Sequence, residues 1–180
     1  MTSNYLESAI KQFEYYKSLG DKTFAQISED KLFWKHSDDS NSIAVIVKHL
    51  AGNMLSRWTD FLTTDGEKDW RNRDGEFRDD LKTKQEVIEL WNQGWELLLD
   101  TLKTLQHEDL QKIIYIRSEG HTVLEAINRQ LVHYPYHVGQ IVFIGKMVAE
   151  KWESLSIAKG ASLLYNAKMS QQQKTSKSNL

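Results

Sequence analysis

The sequence predicts an all-α protein, a four-helix bundle with long connections. Three observations carry this. Four stretches place apolar residues at the three- and four-residue spacing of a helix buried on one side. Two of them open with a capping box, Thr83-x-x-Glu86 and Thr122-x-x-Glu125. The connections are long, which departs from a simple up-down-up-down bundle and suits a topology in which some sequential helices run parallel.

The first helix is expected within residues 3–28, on the stripe Leu6, Ala9, Phe13, Tyr16, Phe24 and Ile27; the stripe runs through Gly20, a candidate interruption. Leu32-Phe33-Trp34 reads as an apolar plug, and the polar turn from His36 to Asn41 leaves His36 in solvent. The second helix spans about Ser42 to Leu62. Its stripe, Ile43, Ile46, Val47, Leu50, Met54, Trp58 and Phe61, continues too far for a strand.

Residues 65–82 form a charged connection with two glycines. Trp70, Arg71, Arg73 and Phe77 either fold over a pocket mouth or belong to a solvated loop with two aromatic anchors. The third helix runs from the cap at Thr83 to about Leu105, on Val87, Trp91, Gly94, Leu98, Leu102 and Leu105, and Gly94 lets a neighbouring helix come close. In residues 107–121, Ile113-Ile114-Tyr115-Ile116-Arg117 favours extended backbone, with the turn expected at Ser118-Glu119-Gly120.

The fourth helix opens at Thr122 and runs to about Ala149. Beyond it, Trp152, Leu155, Ile157, Leu163, Leu164 and Tyr165 are expected to pack back on the bundle. Residues 1–168 read as one domain, and 169–180 as a polar tail without fixed structure.

Composition removes several function classes. A formal net charge of −2 and a pI near 6.3 give no electrostatic footprint for nucleic acid. The absence of cysteine removes disulfides, thiolate nucleophiles and zinc ribbons. The N-terminal residues lack the basic and apolar regions of a signal peptide, and no apolar run has the length of a membrane span. The expectation is a soluble cytoplasmic protein. Six Trp, seven Tyr and six Phe point to a ring-filled interior or a ring-lined pocket.

The stretch His133-Tyr134-Pro135-Tyr136-His137-Val138-Gly139-Gln140 carries the chemistry. Histidines four residues apart on a helix share one face and can bind one metal ion. On a helical wheel they join Ala126, Gln130, Gln140, Ile141, Ile144 and Val148, the apolar side, while Asn128, Lys146 and Glu150 lie opposite. Pro135, the chain's single proline, removes a backbone hydrogen bond and predicts a kink, and Gly139 adds flexibility or close backbone approach. The plain alternative is a pair of core histidines satisfied by hydrogen bonds. His121 is too far along to share a metal with His133. On the second helix the wheel puts His49 roughly 150° from the stripe centre, with Ser42, Ile46, Asn53, Ser56 and Asp60, so patterning alone reads it as a surface residue.

Asn41-Ser42-Ile43-Ala44-x-x-x-Lys48-His49-Leu50-Ala51-Gly52-Asn53 and His133-x-x-x-His137-x-Gly139-Gln140 resemble the DinB/YfiT-like superfamily. Trp58-Thr59-Asp60-Phe61-Leu62, Trp70-Arg71-x-Arg73-Asp74 and Ala126-Ile127-Asn128-Arg129-Gln130 resemble an uncharacterised bacterial branch of it, over roughly residues 5–165. The resemblance implies a DinB-like bundle, often a homodimer, with a divalent metal, nickel or zinc, held by His49, His133 and His137. It thereby reverses the reading of His49 from patterning.

It also implies a metal-dependent thiol S-transferase acting on small electrophiles with a low-molecular-weight thiol such as bacillithiol. Three neutral ligands leave a divalent ion its full charge and an open position, where a thiol would ionise. Asn53, Tyr134 and Gln140 are candidate cofactor-binding residues. Gln130 and Gln140 flank the pair as partners able to fix its tautomers, and Arg57, Arg71 and Arg73 either meet an anionic thiol or form ordinary surface pairs. The alternatives are a non-catalytic metal- or ligand-binding dimeric bundle, and a metallohydrolase, for which Asp60 and Glu119 are the nameable carboxylate bases.

Overall fold

The structure, a computed structural model, describes residues 4–178, with side chains as far as residue 172. The described chain divides into two compact units, one ending at Ala149 and the other beginning at Glu150. The break falls before the domain boundary at residue 168 that the sequence suggests.

The first unit is all-α apart from one small hairpin. Helix α1 spans Tyr5–Phe24, and α2 is a single turn, Glu29–Leu32. Helix α3 spans Ile43–Trp58; the Ser42 hydroxyl caps it by accepting from the Val45 amide at 3.2 Å. Helix α4 spans Lys84–Thr104 and α5 spans Val123–Val148, and both expected capping boxes are formed, at Thr83–Glu86 and Thr122–Glu125. Helix α5 continues through Pro135.

Helix α3 packs on α4 and α5, and α1 packs on α5 and α4. The four helices therefore close a square with α1 and α3 on one diagonal and α4 and α5 on the other. The connections 25–42 and 105–122 cross a diagonal, whereas the longest, 59–83, joins adjacent helices and lays its 74–77 turn on α3. Trp58, Trp91, Trp95, Tyr134 and Phe13 fill the centre with their rings, and all are buried. Gly94 sits where α4 meets α3: a methyl group there would lie 2.9 Å from Met54 Sδ and 3.2 Å from Ala51 Cα. The expected close approach is present.

The connection from 59 to 83 is largely irregular, with one 3₁₀ turn at Asp74–Phe77 laid against α3. Strands β1, Ile113–Ile116, and β2, Glu119–Thr122, form an antiparallel hairpin in which Ile116 pairs with Glu119. The turn is Arg117-Ser118, one step earlier than expected, with φ of 56° and 63°. Both residues sit in the left-handed region without being glycine, so the turn needs bracing. Asp65 supplies it: its carboxylate accepts from the Arg117 amide at 2.8 Å and the Ser118 amide at 2.7 Å.

Two surface expectations are corrected. Val132, Tyr136, Phe143 and Met147 form an exposed apolar stripe on α5, beside the polar residues expected there. In the second unit, α6 spans Ser162–Ser178, so helix occupies most of the expected unstructured tail; residues 179–180 lie outside the described ones. Within the second unit Ile157, Leu163, Leu164 and Tyr165 gain no burial from one another, with Leu163 at 84% exposure.

Candidate metal centre

Helices α3 and α5 bring three histidines together. One nitrogen each from His49, His133 and His137 lies within 4.8 Å of the others. His133 and His137 come from the expected face of α5. His49 is 6% exposed, so its reading as a surface residue from patterning is wrong, and it lies beside the two histidines with which the resemblance groups it. The physical reason is a second cover: the 74–77 turn lies over the face of α3 that patterning leaves to solvent. The Phe77 ring stacks on His49 with centroids 4.8 Å apart.

Each imidazole is held from behind at Nδ1. His49 Nδ1 lies 2.9 Å from Glu76 Oε2, His137 Nδ1 lies 2.8 Å from Gln140 Oε1, and His133 Nδ1 lies 3.3 Å from Gln130 Oε1. With each Nδ1–H donating to an oxygen, the three Nε2 lone pairs are left for a cation. His133 Nε2 and His137 Nε2 stand 3.1 Å apart. Two nitrogens on one ion would be separated by about 2.9 to 3.4 Å, for bonds of about 2.0–2.1 Å and angles of roughly 90° to 109°. The His133–His137 pair therefore has the spacing of two ligands on one divalent ion, and His49 completes a set of three within 4.8 Å.

The electrostatics agree. Burial, and then the neighbouring His137 and His49, push the His133 pKa down to about 4. Burial also lowers that of His137, against a raising effect from Gln140. Both rings are neutral near pH 7, the form that binds metal. Burial alone would raise the Glu76 carboxyl, but hydrogen bonds from His49 and Arg71 outweigh it and hold the group below its ordinary value. Glu76 thus supplies a fixed negative charge behind His49.

The other candidates fall into place unevenly. Asn53 is buried and lines the cavity beside His49 and His133. Tyr134 is wholly buried, and its hydroxyl accepts from Trp58 Nε1 at 3.0 Å and donates to Asn53 Oδ1 at 3.0 Å. It does not line the cavity itself and is joined to it through Asn53. Gln140 likewise holds His137. Asp60 lies exposed in the turn after α3, and Glu119 is exposed in the hairpin, so neither lines the cavity. His36 is exposed, as expected, and His121 belongs to β2, outside the cluster.

Glu76 is the functional residue that sequence reasoning misses. No periodicity marks it within a charged connection. Arg71, two-sided in the sequence reading, anchors Glu76 by hydrogen bonds at 2.8 and 3.0 Å. Trp70 is 60% exposed, whereas Phe77 covers His49. At Arg71, Glu76 and Phe77 the connection is thus a packed cover over His49 rather than a solvated loop.

Over residues 1–161 the chain matches the family described as "Protein of unknown function (DUF1572)", and it belongs to that family. No curated protein matches it. Among the described residues no helix is long and apolar enough to cross a membrane.

Proposed function

We propose that this chain is a DinB-like, divalent-metal-dependent thiol S-transferase that joins a low-molecular-weight thiol to small electrophiles, with His49, His133 and His137 holding nickel or zinc. The observation that carries the metal site is the set of three imidazoles, each tied at Nδ1 to a side-chain oxygen, with their remaining nitrogens converging. A bound divalent ion supplies Lewis acidity, lowering the pKa of a thiol that takes its open position.

The chain's own residues do the rest. Glu76 and the two glutamines fix ring orientation, and Phe77 keeps water from one side of His49. The Trp58–Tyr134–Asn53 chain occupies Asn53 Oδ1, leaving the Asn53 amide nitrogen as a donor beside the site. The metallohydrolase alternative wants a free carboxylate base. None lines the cavity, and both oxygens of Glu76 are engaged. The thiol reading requires no such base, and the lack of cysteine leaves the nucleophilic thiol to a small molecule. It also fits a reducing, cytoplasmic setting.

The test is metal content by plasma mass spectrometry on untagged wild type and His137→Ala. Near one ion per chain, lost in the variant, establishes the site. Titration of cobalt-substituted protein with a small thiol should then shift the visible absorption of the ion. No stoichiometric metal after reconstitution overturns the metal reading. Stoichiometric metal with no thiol response leaves the non-catalytic metal-binding bundle.

A further inference from the structure

The chain has only six arginines, and five of them, Arg57, Arg71, Arg73, Arg117 and Arg129, line a single cavity of about 280 Å³. None of its more numerous lysines does, and no carboxylate does. The other lining residues are His49, Asn53, Gln130 and His133, so one wall of this cavity is the metal centre. Arginine in preference to lysine is the signature of recognition by a planar fork, which matches carboxylate and phosphate oxygens two at a time.

Two ladders build the arrangement. On α3, His49, Asn53 and Arg57 recur at every fourth residue; on α5, Arg129, His133 and His137 do the same. Successive rungs stand about 6 Å apart along each axis. Both helices therefore present histidine at one level and arginine one or two levels away. The braced Arg117-Ser118 turn brings in a further arginine from the hairpin.

Only two of these five cations have ion-pair partners among the described residues. Glu76 and Glu67 pair with Arg71, and Glu67 also meets Arg117 at 3.3 Å. Among the described residues no carboxylate is in ion-pair contact with Arg57, Arg73 or Arg129, and Glu67 and Asp65 act on Arg57 only at longer range. Arg57 is the telling one: it is 4% exposed, and its Nε and Nη1 have no hydrogen-bond partner. A buried guanidinium with no hydrogen-bond partner in the protein is costly to the fold, and an anion in the cavity would supply that partner.

We infer that the arginine wall is the recognition site for a small oxyanion ligand, a carboxylate or phosphate compound of at least two negative charges, held beside the three-histidine centre. The site deepens the proposed function by giving the thiol or its acceptor a charge class. It rests on the cavity's own residues, so anion binding is measurable in metal-free protein, and its failure is distinguishable from failure of the metal site.

The experiment is calorimetric titration and thermal melting of the full chain, metal-free and zinc-loaded, with succinate and with inorganic phosphate. Acetate, and chloride at matched ionic strength, are the controls. Saturable binding of succinate or phosphate, with a rise of several degrees in Tm that the controls do not give, is expected, and the tighter of the two names the oxyanion. Arg129→Gln, at an exposed position, should leave the Tm without ligand unchanged and weaken binding at least tenfold. Arg57→Met should not lower the Tm without ligand and should abolish the anion-dependent rise. Neither anion binding above the chloride control, or both variants binding as wild type does, overturns the inference. A misfolded Arg57→Met leaves the decision to Arg129→Gln.

Discussion

Glu76 Oε2 lies 2.9 Å from His49 Nδ1, and the Arg71 guanidinium holds both oxygens of the same carboxylate. The histidine that patterning leaves on the surface is thus oriented by a residue 27 positions away in an irregular connection. A carboxylate behind a ligating imidazole raises its basicity and fixes its ring, and loss of such a partner commonly weakens metal binding by about 10- to 100-fold. Glu76→Gln, which keeps the shape, should weaken zinc binding in that range, measured by competition with a chromogenic chelator. Gly52→Ala should act in the same direction, because its methyl group would collide with the Glu76 carboxylate. Unchanged affinity in both variants would remove Glu76 from the site.

The depressed histidines give the metal-free protein an acid limit. His133 binds its proton with a pKa of about 4 in the fold against 6.5 as the ordinary value, and His137 shifts the same way. Between those values the unfolded chain takes up protons that the folded chain refuses. Stability from this source is complete above about pH 6.5 and is lost as pH falls toward 4. Urea denaturation of metal-free protein from pH 7.5 to 4 should show that loss. His133→Asn should flatten the slope, and a slope identical to wild type would contradict the burial argument.

The parts of the fold that were legible in the sequence are those written in local chemistry. Thr83 and Thr122 mark two helix starts because a side-chain oxygen and a glutamate three residues on satisfy amides that no helix can satisfy itself. His133 and His137 were legible because a four-residue spacing is a face. His49 was not legible from its stripe, although a signal existed. Lys48 and Arg57 are the only Lys, Arg, Asp or Glu residues within α3, and a helix apolar nearly all round is covered on more than one side. Glu76 and the convergence of five arginines depend on contacts between distant segments, which no local pattern carries. Leu163 and Leu164 show the converse, an apolar pattern without burial inside its own unit.

Two glycines on helices should respond to alanine with opposite signs. At Gly94 the added methyl group meets Met54 and the backbone of Ala51, so Gly94→Ala should cost about 1–3 kcal/mol through overpacking between α3 and α4. At Gly139 nothing lies within 4 Å, so no close approach within the chain requires it. There alanine should stabilise the protomer by about 0.5–1 kcal/mol by restricting the unfolded chain. Chemical denaturation of the two variants at low protein concentration checks both signs.

The same open glycine bears on the homodimer, which we propose to form through α5. Val132, Tyr136, Phe143 and Met147 are all more than half exposed and lie on one side of the helix, with Gly139 between them. Their spacing is symmetric about the Gly139–Gln140 peptide. A second copy of α5 running antiparallel across a two-fold axis there would set Val132 against its partner's Met147 and Tyr136 against its partner's Phe143. An isologous contact requires such self-complementarity, and a stripe of this size is otherwise a liability in water. Light scattering behind size exclusion should give twice the chain mass for wild type and one chain mass for Tyr136→Glu or Phe143→Glu, with helical circular dichroism retained. Monomeric wild type at all concentrations would remove α5 as a self-association surface, and the stripe would then need a different partner.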